Sequence, residues 1–396
     1  MWNGSKPFML NIGFMISPSS DWLGGLNYYK NLFFAINRSC KNNVQLFVFV
    51  SKNIDSSIIN EVVGSLSAIK LVKTPLLTKY SFPWFIWRIT KKTLKSDFIV
   101  YVYLRKYKID IYSHCALKTN RFVKTLNWIP DFQHLYYPEY FPGKKLLQRE
   151  LQIRDVCRHS TAILLSSYNS QNDLNTYYQK YAKKSYVLPF VSQMPSSFYD
   201  LNLTERELIV AKYSKGRKFI YLPNQFWQHK NHIIVFKAVS LLKKEGTIVD
   251  LICSGSYLDH RNNEYMDLIW NTLDIFDIKD CVNLVGIIPY KDVCTLIKHS
   301  LCVINPSLFE GWSSTVEECK SINKKMIISD IPVHRQQYPE ALFFDPNNFY
   351  DLAKLLEKVL DSTEDINPDM NAIKADLDTR TNAFGLKYLE IVRSII

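Results

Sequence analysis

Two glutamates, Glu310 and Glu318, lie in the segment Asn305-Pro306-Ser307-Leu308-Phe309-Glu310-Gly311-Trp312-Ser313-Ser314-Thr315-Val316-Glu317-Glu318. The apolar run before it, Leu301-Cys302-Val303-Ile304, predicts a buried parallel strand. Ser313, Ser314 or Thr315 can N-cap a helix that follows. Glu310 then sits on a loop at the carboxyl end of a strand, and Glu318 about two turns into the helix. Ligands of open α/β sheets bind at that edge. Helix-end amides there suit a phosphate. Carboxylates accept hydrogen bonds from sugar hydroxyls. The chemistry predicted is recognition of an anionic, hydroxyl-rich ligand such as a nucleotide sugar. The plain alternative is an ordinary strand, loop and helix with surface acids.

The elements that would position these groups recur along the chain. Its 396 residues have the length of two domains of about 200 residues each. In the first half, apolar runs predict strands at 8–14, 45–50, 110–113, 125–129, 162–166 and 186–189. Helices are expected at 26–37, 58–67, 144–158 and 170–181. A loop over 17–25, ending in Gly24-Gly25, joins the first strand to the first helix, without the G-x-G-x-x-G fingerprint of dinucleotide binding. The run Phe98-Ile99-Val100-Tyr101-Val102-Tyr103-Leu104 has strand length, and 191–216 read as a linker plus a short helix. The second half repeats the alternation. Strands are expected at 219–222, 249–253, 282–284, 301–304, 325–329 and 342–344, and helices at 232–244, 263–276, 290–299, 350–360 and 371–396. The pattern predicts an α/β fold of two doubly wound, Rossmann-like domains, 1–200 and 201–375, facing a central cleft that holds the ligand. Residues 376–396 form a C-terminal helix with the option of crossing back to the first domain.

Composition narrows the class. Hydrophobic residues at 47% with 22% charged residues describe a globular protein. The eight cysteines form no C-x-x-C pair, which argues against a zinc or dithiol site and fits a reducing cytoplasm. The N-terminus lacks the basic-then-apolar layout of a signal peptide, and no apolar run reaches the roughly 18 residues of a membrane span. The net charge of +12 is uneven: residues 1–200 carry +15 and the rest −3. Its densest part, 70–108, has ten Lys/Arg against the single acid Asp97, interleaved with Phe82-Pro83-Trp84-Phe85-Ile86-Trp87. An anionic membrane surface, a core helix inside a solvated basic face, and nucleic acid are the three readings, in that order. The membrane surface is the reading taken, and nucleic acid is not expected as a partner.

The segment Pro306-Ser307-Leu308-Phe309-Glu310-Gly311-Trp312, with Glu318 eight residues beyond Glu310, resembles the donor-site signature of family-four retaining glycosyltransferases of the GT-B fold. The resemblance extends over most of the chain. Tyr221-Leu222-Pro223-Asn224-Gln225-Phe226-Trp227-Gln228-His229-Lys230 resembles the family's strand-to-helix segment, and Lys230 matches its diphosphate-binding lysine. The family usually has an arginine at the position of Gln225. That departure shifts leaving-group charge onto another basic group or onto the helix end at Ser313, Ser314 and Thr315. Gly255 matches a strand-end glycine that lets the nucleotide approach the backbone, and Val285-Gly286-Ile287-Ile288-Pro289 a segment framing the base. Trp128-Ile129-Pro130-Asp131-Phe132-Gln133-His134 resembles the cleft segment whose histidine touches the donor sugar, and Gly24-Gly25 the glycine-rich loop near phosphate and acceptor.

The resemblance implies transfer of a sugar from a UDP- or GDP-linked donor to a hydroxyl, with retention at the anomeric carbon. Glu310, His134 and Lys230 are the expected catalytic residues. Glu318, Gly24, Gly25, Asn224, Gln225, Gly255, Gly311, Trp312, Ser313, Ser314, Thr315 and Asp131 are the expected donor contacts. No cofactor or metal is expected. His229 and His232 share a helix face without a third ligand, and the sole Asp-x-Asp, Asp376-Leu377-Asp378, lies away from the strand ends. The expected acceptor is a lipid-linked oligosaccharide in O-antigen or capsule assembly on the inner face of the bacterial cytoplasmic membrane. A nucleotide-sugar epimerase or hydrolase, and a non-catalytic basic membrane-binding protein, are the competing readings.

Overall fold

The computed structural model describes residues 9–16, 23–40, 43–64, 66–115, 117–118, 122–259, 261–262, 264–362 and 369–396. The N-terminal residues 1–8, positions 17–22 of the expected glycine loop, and Asn263 lie outside these.

Short β-branched and aliphatic runs form the strands, and every pairing among them is parallel. In the first sheet these are β1 (Leu10–Met15), β2 (Val44–Ser51), β3 (Ile69–Thr74), β4 (Ile111–Ser113), β5 (Lys124–Ile129), β6 (Ala162–Leu165) and β7 (Ser185–Val187). Among the described residues they pair in the order β3-β2-β1-β4-β5-β6-β7. In the second sheet, β8 (Ile220–Leu222), β9 (Leu251–Ser254), β10 (Val282–Gly286), β11 (Val303–Asn305), β12 (Met326–Ser329) and β13 (Leu342–Phe344) pair as β10-β9-β8-β11-β12-β13. Strand order reverses at β1/β4 and at β8/β11, the switch points where an open sheet leaves a crevice beyond its strand ends.

The second sheet is buried on both faces. Ile220, Leu222, Leu251, Cys253, Ile304 and Ile327 enter one core cluster. Their neighbours Tyr221, Ile252, Val303, Met326 and Ile328 enter another. Alternate side chains thus point to opposite layers, and both layers are apolar, which is why these strands read as continuous hydrophobic runs.

The chain divides into two compact units. The first comprises 1–132, 145–191 and 378–396, and the second 133–144 and 192–377. Segment 133–144, expected with the first half, therefore belongs to the second unit. The helix Met370–Ile395 is shared between them, its residues from Asp378 onward belonging to the first. There Arg38 pairs with Asp378 at 2.9 Å, and Tyr388 is fully buried and stacks on Phe14.

Three local expectations change. The run Phe98–Leu104 is a helix, not a strand. Val100 and Leu104, four residues apart, share a face and are both buried in one cluster, so tertiary packing overrides the strand preference of the aromatic and β-branched residues. Gly24 and Gly25 are not in a loop but in the first turn of the helix Leu23–Ser39. The core-helix reading of the basic region also fails. The helix Phe82–Thr93, capped by Ser81, which accepts from the Trp84 amide, has no buried residue. Part of the same basic run is β3, an edge strand whose Lys70 and Lys73 suit its unpaired side. Among the described residues no helix is long and apolar enough to cross a membrane.

Gly385 marks a close approach inside the first unit. A Cβ there would stand 2.3 Å from the carbonyl oxygen of Ala35 and 2.5 Å from Ser39 Oγ. The shared helix can lie this near Leu23–Ser39 only with glycine at the crossing. Gly385→Leu is therefore expected to lower stability by about 1–3 kcal/mol through overpacking, read as a lower denaturant midpoint.

Candidate functional site

Lys230 and Glu310 are brought together at the β8/β11 switch point of the second unit. Lys230 ends a one-turn 3-10 segment, Gln228–Lys230, that follows β8. Asn231 then takes φ +54°, and the helix His232–Lys244 begins. Glu310 lies on the loop after β11. Lys230 Nζ donates to Glu310 Oε1 at 2.5 Å, and both side chains are largely buried. A desolvated pair of this kind is held firmly, because removing either partner strands the other charge.

A set of side-chain bonds fixes this pair. Asn305, at the end of β11, is fully buried. Its Oδ1 accepts from Asn224 Nδ2 at 3.2 Å, and its Nδ2 donates to Ser313 Oγ at 2.8 Å. Ser307 Oγ lies 2.7 Å from both Asn305 Oδ1 and Glu310 Oε1. One hydroxyl proton serves one of these acceptors at a time. Thr315 Oγ1 reaches back to the Pro223 carbonyl at 3.3 Å. The loops after β8 and β11 are thereby locked to each other.

The helix end expected to hold an anion is short, Ser314–Lys320. Its donors are partly committed: the Ser313 amide donates to Gln337 Oε1 at 3.0 Å, and the Val316 amide to Ser313 Oγ at 3.4 Å. Gly311, Trp312 and Ser314 are half-buried on the same turn. Gly255, after β9, has φ +149°, and a Cβ there would meet the Asn224 carbonyl oxygen at 2.3 Å. The close approach that needs this glycine is made by the chain's own β8 loop, at Asn224 and the half-buried Gln225.

Glu318 occupies a different setting. It is buried, and Tyr290 donates to its Oε1 at 2.9 Å. Burial pushes its carboxyl from the ordinary 4.5 up to about 7, and the Tyr290 bond pulls the other way.

His134 is buried in the short helix Gln133–Tyr136, edge-on to Phe141. This helix belongs to the second unit and lies against the same loops. Tyr137 OH donates to the Leu308 carbonyl at 3.4 Å, and Tyr136 packs on Phe309. Gln133 Oε1 accepts from Arg261 at 3.0 Å. Arg261, which the sequence reading missed, follows the Gly255 turn, is gripped by Asp259, faces His229 and stacks over Trp227. It brings a guanidinium beside the Lys230 turn, paired with Asp259. Tyr290, Gln337 and Ser307 were also missed. Ser307 stood in the quoted segment without a role, and the other two carry no local motif.

Other expected residues fall elsewhere. Asp131 belongs to the first unit, where Arg149 approaches it at 3.3 Å, and Gly24 and Gly25 belong there too. His229 and His232 do not share a helix face, because the turn at Asn231 separates them. Burial lowers both, His232 to about 3, so each is neutral, and His232 stacks on Phe226. Among the described residues no three His, Cys, Asp or Glu side chains converge as a metal ion would require.

Residues 205–375, within the second unit, match the family model described as Glycosyl transferases group 1. Over 222 residues the chain is 22% identical to the O-antigen chain mannosyltransferase RfbU of Salmonella typhimurium. That match spans 56% of this chain and 56% of the relative, so the chain covers little more than half of that curated protein. Among solved structures it is similar to a glycosyltransferase from Rickettsia africae ESF-5 (TM-score 0.66, 15% identity, 98% of each chain covered). It is also similar to Anabaena Alr3699/HepE in complex with UDP and glucose (TM-score 0.69, 12% identity, 97% of this chain and all of that one). These likenesses establish the fold as GT-B, with two doubly wound α/β units.

Glu318 gives a test in pH. Its folded-state value lies above its unfolded one, so between roughly pH 5 and 7 the native state holds a proton that the unfolded chain has lost. Stability from this group is present at low pH and falls as pH rises, by about 1.4 kcal/mol per unit at most. Glu318→Gln is expected to flatten that slope, seen by denaturant unfolding of both proteins at pH 5, 6 and 7. Parallel slopes would show that Glu318 ionises normally.

Proposed function

We propose that the protein is a retaining, metal-independent glycosyltransferase. It moves a sugar from a UDP- or GDP-linked donor to a hydroxyl of a lipid-linked saccharide during O-antigen or capsule assembly. The observation that carries the reading is the Lys230–Glu310 pair at the β8/β11 switch point, a cation and a carboxylate held in register by Asn305 and Ser307.

In this reading Lys230 takes the charge of the leaving diphosphate, as a point charge that needs no metal. Glu310 keeps Lys230 in place when no donor is bound. When the diphosphate arrives, Lys230 turns to it, and the carboxylate is released toward the hydroxyls of the donor sugar. Glu318 receives the ribose hydroxyls, and His134 hydrogen-bonds the sugar. The partly committed helix end leaves fewer amides for the phosphates than expected, so Lys230 carries more of the leaving-group charge. Retention follows from a front-face displacement in which the departing phosphate oxygen takes the acceptor proton. The O-antigen relative supports the saccharide class of the acceptor. The basic, aromatic surface of 70–108 supports docking at the inner face of the bacterial cytoplasmic membrane.

The test separates the two roles. Nucleoside diphosphates (UDP and GDP) are expected to raise the melting temperature of the wild type, one more than the other. Lys230→Ala should abolish that rise. Glu310→Gln should keep or enlarge it, because Lys230 loses its competing partner, while turnover falls about a hundredfold or more. Full turnover by Glu310→Gln would remove Glu310 from the mechanism. Donor consumption at full rate without any acceptor would make the protein a hydrolase or epimerase instead.

A further inference from the structure

His334 is fully buried in the short helix Pro332–Gln337, and its Nε2 has no hydrogen-bond partner among the described residues. The other ring nitrogen is committed. Nδ1 lies 2.9 Å from the Ser329 carbonyl oxygen and 3.1 Å from Ser329 Oγ. The Ser329 hydroxyl donates its proton to the Ser307 carbonyl, so that proton is not available to the ring. A carbonyl only accepts, so the proton between the ring and β12 belongs to Nδ1. The neutral ring therefore carries a bare lone pair on Nε2. Three residues further along the helix, Gln337 bonds to both backbone groups of Ser313, which braces the helix against the β11 loop at a second point.

The same bonds lead from the ring to the Lys230–Glu310 pair. Ser329 is bonded to Ser307, Ser307 Oγ lies 2.7 Å from Glu310 Oε1, and that oxygen accepts from Lys230. Burial, above all, holds the His334 ring below its ordinary 6.5; Glu310 and the Ser329 bond pull it up, and Lys230 pushes it down. The other histidines near Lys230 meet cations: His229 faces Lys230 and Arg261, and His232 faces Lys230. Asp330 and Arg335, beside His334 in the chain, bind each other at the surface.

We propose that His334 is the proton acceptor of this site. When a diphosphate draws Lys230 away from Glu310, His334 Nε2 takes up one proton from solvent, and the imidazolium replaces Lys230 as the cation that balances the carboxylate. The ion pair leaves no surplus cation, and a diphosphate brings further negative charge to it. In a buried setting that charge acts over several ångströms. Both nitrogens of an imidazolium donate, so the Ser329 bond survives protonation and the ring stays in place. His334 is thus a positioning residue that acts through Ser329 and Ser307 on Glu310. The inference rests on the diphosphate role proposed for Lys230.

The experiment observes the whole protein by NMR with its eight histidines labelled with nitrogen-15, and the signals missing from His334→Asn identify the ring. In the free wild type at neutral pH, Nδ1 is expected to carry the proton and Nε2 none. Saturating UDP or GDP should protonate Nε2. Calorimetry in two buffers of different ionisation heat should show the wild type taking up about half a proton more on binding than His334→Asn. Lys230→Met reproduces the loss of the cation without any nucleotide. It should raise the pH at which His334 protonates by about one unit, whereas Lys230→Met combined with Glu310→Gln should not. A raised midpoint in Lys230→Met supports the coupling even where neither nucleotide binds, a result that removes the diphosphate role of Lys230 instead. Three results overturn the inference: a proton on Nε2 in the free protein, a bare Nε2 under saturating nucleotide, and a Lys230→Met midpoint equal to that of the wild type.

Discussion

The second unit depends on Asn305. Its amide is fully buried and bonds to both loops at the switch point, accepting from Asn224 and donating to Ser313. A buried amide of this kind is costly unless every arm finds a partner. Satisfying it dictates where the β8 loop, the β11 loop and the following short helix must lie. Lys230 and Glu310 meet across loops that the hydrogen bonds of Asn305 tie together. The parallel sheet contributes the crevice, and this one side chain sets its floor.

Two glutamates of the same segment end in different surroundings. Glu310 faces a lysine and a hydroxyl. Glu318, eight residues on, faces a tyrosine in an apolar wall, and burial pushes it toward neutrality. A neutral acid can donate as well as accept. A ligand hydroxyl reaching Glu318 therefore finds a partner whose hydrogen-bond direction changes near neutral pH.

Much of this was legible in the sequence. The helices 232–244 and 290–299 and the strand 342–344 stand where the periodicity put them, and in the two helices the apolar pattern coincides with a buried face. Lys230, Glu310 and Glu318 stood in recognisable segments. What was hidden depends on contacts remote in the chain. Arg261 is 128 residues from Gln133, and nothing near either foretells their bond. The run 98–104 misled because its composition favours a strand while its two buried residues are four apart. Segment 133–144 was assigned by chain position, whereas its packing partners Leu308, Phe309 and Arg261 lie far downstream.

The shared C-terminal helix has a consequence for synthesis. Residues from Asp378 onward complete the first unit, closing against Leu23–Ser39 at Gly385 and covering Phe14 with Tyr388. A ribosome reading from the N-terminus delivers that last piece only after the whole of 192–377 has been made. The first unit is begun first and completed last: Tyr29, Phe33 and His114 reach Phe14 early in synthesis, and Tyr388 only after the second unit has been translated.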